Sequence, residues 1–234
     1  MVKIDANGNK QWDQSYGTAD GETLKSMVPT TDGGFLLVGQ VGTSVWMVKI
    51  DAKGNRVWDK TLQSNAASYN YSLEDAVATA DGGFLVGSTS NAPIGGDKSQ
   101  VSKGNRDYWI VKVDASGNKR WDKTIGTSGP DYLSSLAATP DGGYLLGGVT
   151  SDWNDGDKTE SSRGVGDYWL VKINEQGTIV WDKTVGGNLD DFLFKVIVTA
   201  DQGILAAGSS YSPVSGEKTG VCYGNDDYWA VKLK

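Results

Sequence analysis

The chain has 234 residues, enough for one large all-β domain with its own core. Its net charge of −7 argues against a nucleic-acid partner, because affinity for a phosphate backbone comes largely from Lys and Arg. It contains no histidine and a single cysteine, Cys222. This excludes His-dependent nucleophile activation, His-ligated metals and any intramolecular disulfide. No apolar run approaches the ~20 residues that span a bilayer, so no membrane insertion is expected. Met1 leads straight into VKIDANGNK, so no secretory leader is visible.

In chain order, residues 2–5 and 11–16 read as two strands around a turn. A hairpin follows from Glu22, turning at Asp32-Gly33-Gly34, and a second hairpin carries VWMVKI (45–50) and RVWDKT (56–61). The same succession starts again near residues 71, 131 and 191. Each copy has an apolar run, an Asp-Gly or Asp-Gln-Gly turn, a second run, and a strand reading D-Y-W-x-V-K after residue 100. Apolar and polar residues alternate with period 2 along these runs, and no window shows a helical period. The marker tryptophans Trp46, Trp109, Trp169 and Trp229 stand 63, 60 and 60 residues apart. Repeats of this length stack units around a shared core.

Each repeat therefore reads as a four-stranded antiparallel meander, with strands A to D. Four of them define an all-β chain: a β-propeller of four four-stranded blades in one domain, residues 1–234, with blades beginning near 22, 71, 131 and 191. The fourth repeat ends after strand C, and the spare D-type strand at 11–16 is expected to complete it and close the ring. Residues 2–5 compete for the same place. The alternatives are a fragment of a larger propeller or self-association through incomplete closure. Eight of the nine tryptophans fall on strands C and D, where they are expected to cement one blade to the next.

The pattern G-[DE]-K-[ST]-x4-G-x2-D-Y-W-x-V-K, then D-x-x-G-N-x-x-W-D-K-T, then a DGG hairpin resembles a propeller-type repeat of secreted Bacteroidetes proteins. It is also similar to the broader bacterial β-propeller repeat family. The resemblance covers essentially the whole chain. It implies an extracellular or surface-attached bacterial protein, often long and multidomain, with no catalytic signature to carry over.

Features found in every copy read as scaffold; features unique to one copy are better candidates for function. The strand C lysines (Lys3, Lys49, Lys112, Lys172, Lys232) and the strand D aspartates (Asp13, Asp59, Asp122, Asp182) recur, and are expected to pair with each other. The G-[DE]-K-[ST] loops lack the G-x4-G-K-[ST] pattern of a phosphate loop and read as compact, self-bonded turns. Between Gly39 and Trp46 the first repeat is short, which predicts a ligand groove above it, walled by the long loops of the other three. Trp153 stands in an acidic loop with Asp152 and Asp155, suited to stacking on a sugar. The same loop is off by one from a calcium loop, so calcium is weighed but no metal or cofactor is assigned. Glu22, Tyr71, Asp131 and Asp191 align at the start of strand A, where they are expected to ring the mouth of the central channel. The leading expectation is a non-enzymatic binding or scaffold module for a glycan or protein. The alternatives are a carboxylate-based glycoside hydrolase or lyase and a structural repeat spacer.

Overall fold

A computed structural model of the chain describes residues 1–63, 72–151 and 154–234. Among the described residues every regular element is a strand. β1 (Val2–Ile4) and β2 (Lys10–Asp13) form a two-stranded sheet. The first complete blade is β3 (Glu22–Pro29), β4 (Phe35–Val41), β5 (Ser44–Ile50) and β6 (Arg56–Leu62). The second is β7 (Ser72–Ala78), β8 (Phe84–Ser90), β9 (Asp107–Val113) and β10 (Lys119–Ile125). The third is β11 (Asp131–Ala138), β12 (Tyr144–Thr150), β13 (Asp167–Ile173) and β14 (Ile179–Val185). The last sheet has three strands: β15 (Asp191–Val198), β16 (Ile204–Ser210) and β17 (Asp227–Leu233). All pairings within the sheets are antiparallel, in the A–B–C–D order of a meander. The A strands β3, β7, β11 and β15 pack successively against one another at the inner rim.

Local chemistry explains the repeat signature. In the A–B turn, Asp32 accepts hydrogen bonds from Thr30 Oγ1 (2.5 Å) and Gly34 N (3.0 Å), while Gly33 takes φ +78°, a backbone state closed to most side chains. In the C–D turn, Asp51 Oδ1 accepts the amides of Lys53 and Asn55, both at 2.8 Å, and Asp114 repeats the arrangement. The strand D tryptophan of the first blade then reaches the C–D turn of the second: Trp58 Nε1 donates to Ala115 O at 3.1 Å. Trp12 does the same to Ala52 O at 3.2 Å, so β1–β2 stands where the outer half of a preceding blade would. The apolar clusters lie between consecutive sheets, as expected of stacked blades.

Two expectations are corrected. The N-terminal strand does not close the last blade: β2 pairs with β1, through Val2↔Asp13 and Lys3↔Trp12, and β17 pairs only with β16 among the described residues. The strand C lysines do not pair with the strand D aspartates. Lys172 lies opposite Trp181 and Val171 opposite Asp182, so lysine and aspartate project from opposite faces of the sheet. Lys49, Lys112 and Lys172 instead bond the A–B turn aspartates Asp32, Asp81 and Asp141 at 2.8–3.0 Å, and Lys232 bonds Asp201. Asp59, Asp122 and Asp182 accept the indole N–H of Trp46, Trp109 and Trp169, at 3.2, 3.0 and 3.0 Å.

Candidate functional site

The aspartates at the start of strand A are latches, not a ring at the channel mouth. Asp131 and Asp191 have no exposed surface. Asp131 Oδ2 accepts Thr127 N (2.6 Å) and Thr127 Oγ1 (2.9 Å), and Asp191 Oδ2 accepts Gly187 N (2.6 Å). Glu22 holds Thr18 N in the same way at 2.7 Å. Each carboxylate thus caps the four-residue turn that leads into its strand. Period-2 alternation then turns the following residues, Tyr132 and Phe192, outward in their place. Asp107 and Asp167 cap the turn before strand C by the same device, accepting Lys103 N and Arg163 N. Burial pushes both carboxyls up from the ordinary range.

Asp131 is pushed up to about 7, chiefly by burial, with Asp107 adding repulsion. Its proton is held more tightly in the folded chain than in the unfolded one. Its stabilising contribution is therefore full below about pH 4 and is lost as pH rises through about 7. Asp131→Asn keeps an acceptor for Thr127 and removes the titration. Urea unfolding should find the variant close to wild type at pH 4. It should be more stable at pH 8 by on the order of a few kcal/mol; parallel pH profiles would refute the assignment.

The long B–C loops are fastened by hydrogen bonds to the linkers and strands beside them. Asp157 N donates to Gly126 O (3.0 Å) and Glu217 N to Gly186 O (3.0 Å), fastening each loop to the linker that leads into its blade. Thr159 N donates to Asp182 Oδ2 (3.0 Å) and Ser99 N to Asp122 Oδ2 (2.8 Å). Lys98, Lys158 and Lys218 are buried beneath their own loops; Lys98 Nζ, for one, donates to Thr124 Oγ1 at 2.8 Å. These are compact, self-bonded turns, as their sequence suggests. Asp155 belongs to this fastening: its oxygens accept Ser128 N (3.0 Å) and Ser128 Oγ (2.5 Å). Tyr71, Asp152 and Trp153 lie outside the described residues. Among the described residues no group of three or more acidic or cysteine side chains is placed to hold a metal ion.

Two features at the inner rim were not anticipated. Every A strand carries a β-bulge at one position, between Leu24 and Ser26, Leu73 and Asp75, Leu133 and Ser135, and Leu193 and Lys195. The residues just past the bulge meet in one cluster. Asp75 Oδ1 accepts Ser26 Oγ (3.0 Å), and Asp75 Oδ2 accepts Leu136 N (3.0 Å), Ser135 Oγ (3.3 Å) and Lys195 Nζ (2.8 Å). One carboxylate therefore ties four sheets together. Aligning the four copies gives Ser, Asp, Ser and Lys at this position, which is the signal that would have found it.

The second feature is a cavity of about 440 Å³ between β11 and β15. Tyr132, Phe192 and Phe194 line it, with Ser134, Ser151 and Asp190 among its polar groups. Ser134 and Phe194 are the extra residues of the two bulges, which turn them to the cavity side alongside Tyr132 and Phe192. Arg106 Nη1 donates to Tyr132 Oη at 2.9 Å, and Phe192 packs edge-on to Tyr211 with ring centroids 6.2 Å apart. The three lining rings stay 39–62 % exposed, a wide apolar surface to leave in water.

The fold, an array of β-propeller blades, recurs in solved structures. A phage phi92 endosialidase is 11% identical over 91% of this chain and 35% of its own, with a TM-score of 0.52. A protein of unknown function from Dyadobacter fermentans is 16% identical over 90% of this chain and 52% of its own, with a TM-score of 0.51. A Hadza microbial sialidase, Hz136, is 9% identical over 80% of this chain and 41% of its own, with a TM-score of 0.52. The chain spans about half or less of the length of these structures, and the likeness is one of fold. No known protein family and no curated protein matches the sequence.

Proposed function

We propose that the chain is a non-catalytic binding module of a secreted or surface-attached bacterial protein, with a glycan as its ligand in the cavity between β11 and β15. The cavity carries this reading. Its volume falls in the range of small-ligand sites, and its walls combine several rings with a few polar groups. The C–H face of a pyranose packs on rings such as Phe192 and Tyr132, while Asp190 and Ser134 are placed to accept or donate to its hydroxyls. The hydrolase alternative needs two carboxyl groups facing one bond, about 5–9.5 Å apart. Asp131 and Asp191, the carboxylates first suggested for it, are buried under their own turns, and Asp190 is the one carboxylate lining the cavity among the described residues.

Two of the similar structures are sialidases by name, which is reason to include sialylated glycans in a screen. The test is a glycan array probed with the purified chain, with calcium and with chelator. A specific hit should weaken at least tenfold, about 1.4 kcal/mol, in Phe192→Ala. It should stay unchanged in Asp155→Asn, whose side chain serves the loop. A blank array under both conditions would overturn the glycan reading and leave the structural spacer. Turnover of any bound glycan would overturn the non-catalytic one.

A further inference from the structure

Two successive blade junctions treat the same slot differently. Between the second and third blades, Asp131 N donates to Arg106 O at 2.7 Å; between the third blade and the last sheet, Asp191 N donates to Gly166 O at 2.6 Å. These bonds make Arg106 and Gly166 equivalent, and with them Pro130 and Asp190, and Tyr132 and Phe192. At the earlier junction the slot holds a cation of the chain's own. The Arg106 guanidinium stands 5.2 Å from the centroid of the Tyr132 ring, and its Nη1 donates to Tyr132 Oη at 2.9 Å. At the later junction the ring is kept, as Phe192, and the cation is gone. Gly166 stands in its place and lines the cavity between β11 and β15. Asp190 adds a carboxylate where the earlier junction has Pro130. Its Oδ1 lies 3.1 Å from the Cβ position of any side chain placed at residue 166. That carboxylate is half-buried and makes no hydrogen bond or ion pair among the described residues. Both junctions lie between described sheets, and Tyr132 and Phe192 are about equally open, at 41% and 39% exposed.

We propose that the cavity selects glycans that carry a protonated amine, an unacetylated amino sugar, with the ammonium in the place that the missing arginine leaves. This rests on the glycan reading of the cavity and names the sugars it takes. An aromatic face beside a carboxylate suits one sign of charge. The ring's quadrupole attracts a cation, and the carboxylate pairs with it through a charge-assisted hydrogen bond. Both interactions strengthen where water is partly displaced. An ammonium on the pyranose meets Asp190 and the face of Phe192, and the C–H face of the sugar is left for Phe194 and Tyr132. An N-acetylated sugar offers Asp190 no charge. An acidic sugar meets a like charge there, and Arg106, which could offset it, does not line the cavity. The net charge of −7 favours the approach of a cation in the same sense.

The test is isothermal titration with glucosamine oligosaccharides and their N-acetylated counterparts, at a mildly acidic pH that keeps the amine protonated. The amine form should bind about tenfold tighter or more. Asp190→Asn should bring the two forms to the same affinity. Gly166→Arg should supply the cation from within and abolish binding of the amine form; the backbone at 166 lies outside the left-handed region and admits a side chain. Equal binding of the two forms to the wild-type chain would overturn the amine selection and leave the glycan reading standing. Tighter binding of a sialylated oligosaccharide than of the amine form would do the same. Tighter binding of an arginine peptide would also overturn it, and give the cavity to a protein partner. A blank across the whole glycan array would overturn the glycan reading, and this inference with it.

Discussion

Trp169→Ala should cost the fold about 3–5 kcal/mol, the range for removing a large aromatic from a packed core. The side chain is fully buried, and its ring centroid lies 5.1 Å from that of Tyr108 in the preceding blade. Its indole N–H also supplies a hydrogen bond to Asp182 Oδ2, the oxygen that holds the B–C loop through Thr159 N. Truncation opens a void at a blade junction and takes one donor from a half-buried carboxylate, two costs that fall on the same junction. The contrast is Trp181→Ala. Trp181 is 37% exposed, because the C–D turn that would receive it lies in no complete following blade, and its loss should cost about 1 kcal/mol. Chemical denaturation of the two variants side by side checks the ranking. Equal losses would mean that the tryptophans are not graded by the junctions they fill.

Asp75→Ala should be the most damaging change of a polar residue, at about 2–4 kcal/mol. The carboxylate is 8% exposed and accepts from three other sheets, so its removal leaves Leu136 N and the Ser135 hydroxyl without it in a buried layer. The ion pair with Lys195 adds less, because the Lys195 side chain is 58% exposed and screened by solvent. Lys195→Met should therefore cost under about 1 kcal/mol. Hydrogen exchange on Asp75→Ala should show protection lost first in the A strands of all four sheets. Loss confined to β7 would refute a cluster that binds the sheets together.

Much of the architecture was legible because it depends on short-range chemistry repeated several times. Asp-Gly turns need positive φ, alternation marks half-buried strands, and a 60-residue recurrence leaves few options beyond stacked sheets. The rank of the G-[DE]-K-[ST] loops as compact turns was readable for the same reason. The candidate site was much less legible. Asp131 and Asp191 looked exposed because acidic residues at strand starts usually are; the turn before each strand curls back and buries them against its own amides. Tyr132, Phe192 and Phe194 carry no mark of a site in the sequence, because an aromatic residue in a strand reads equally as core; a bulge and the strand's alternation turn them outward. The Lys–Asp pairing failed on facing: recurrence shows that two residues matter, and register decides whether they share a side.

From the sequence alone come the all-β class, the four-strand unit, the turn chemistry and the role of the tryptophans between blades. Each rests on residues a few positions apart or on exact recurrence along the chain. Only the tertiary structure decides which carboxylates are buried, that Asp75 gathers four sheets, that a bulge opens an aromatic cavity, and that β2 pairs with β1 rather than β17. Those outcomes are competitions between distant segments for one place. They are settled by which face and which edge each sheet presents once it is packed, and no local pattern encodes that result.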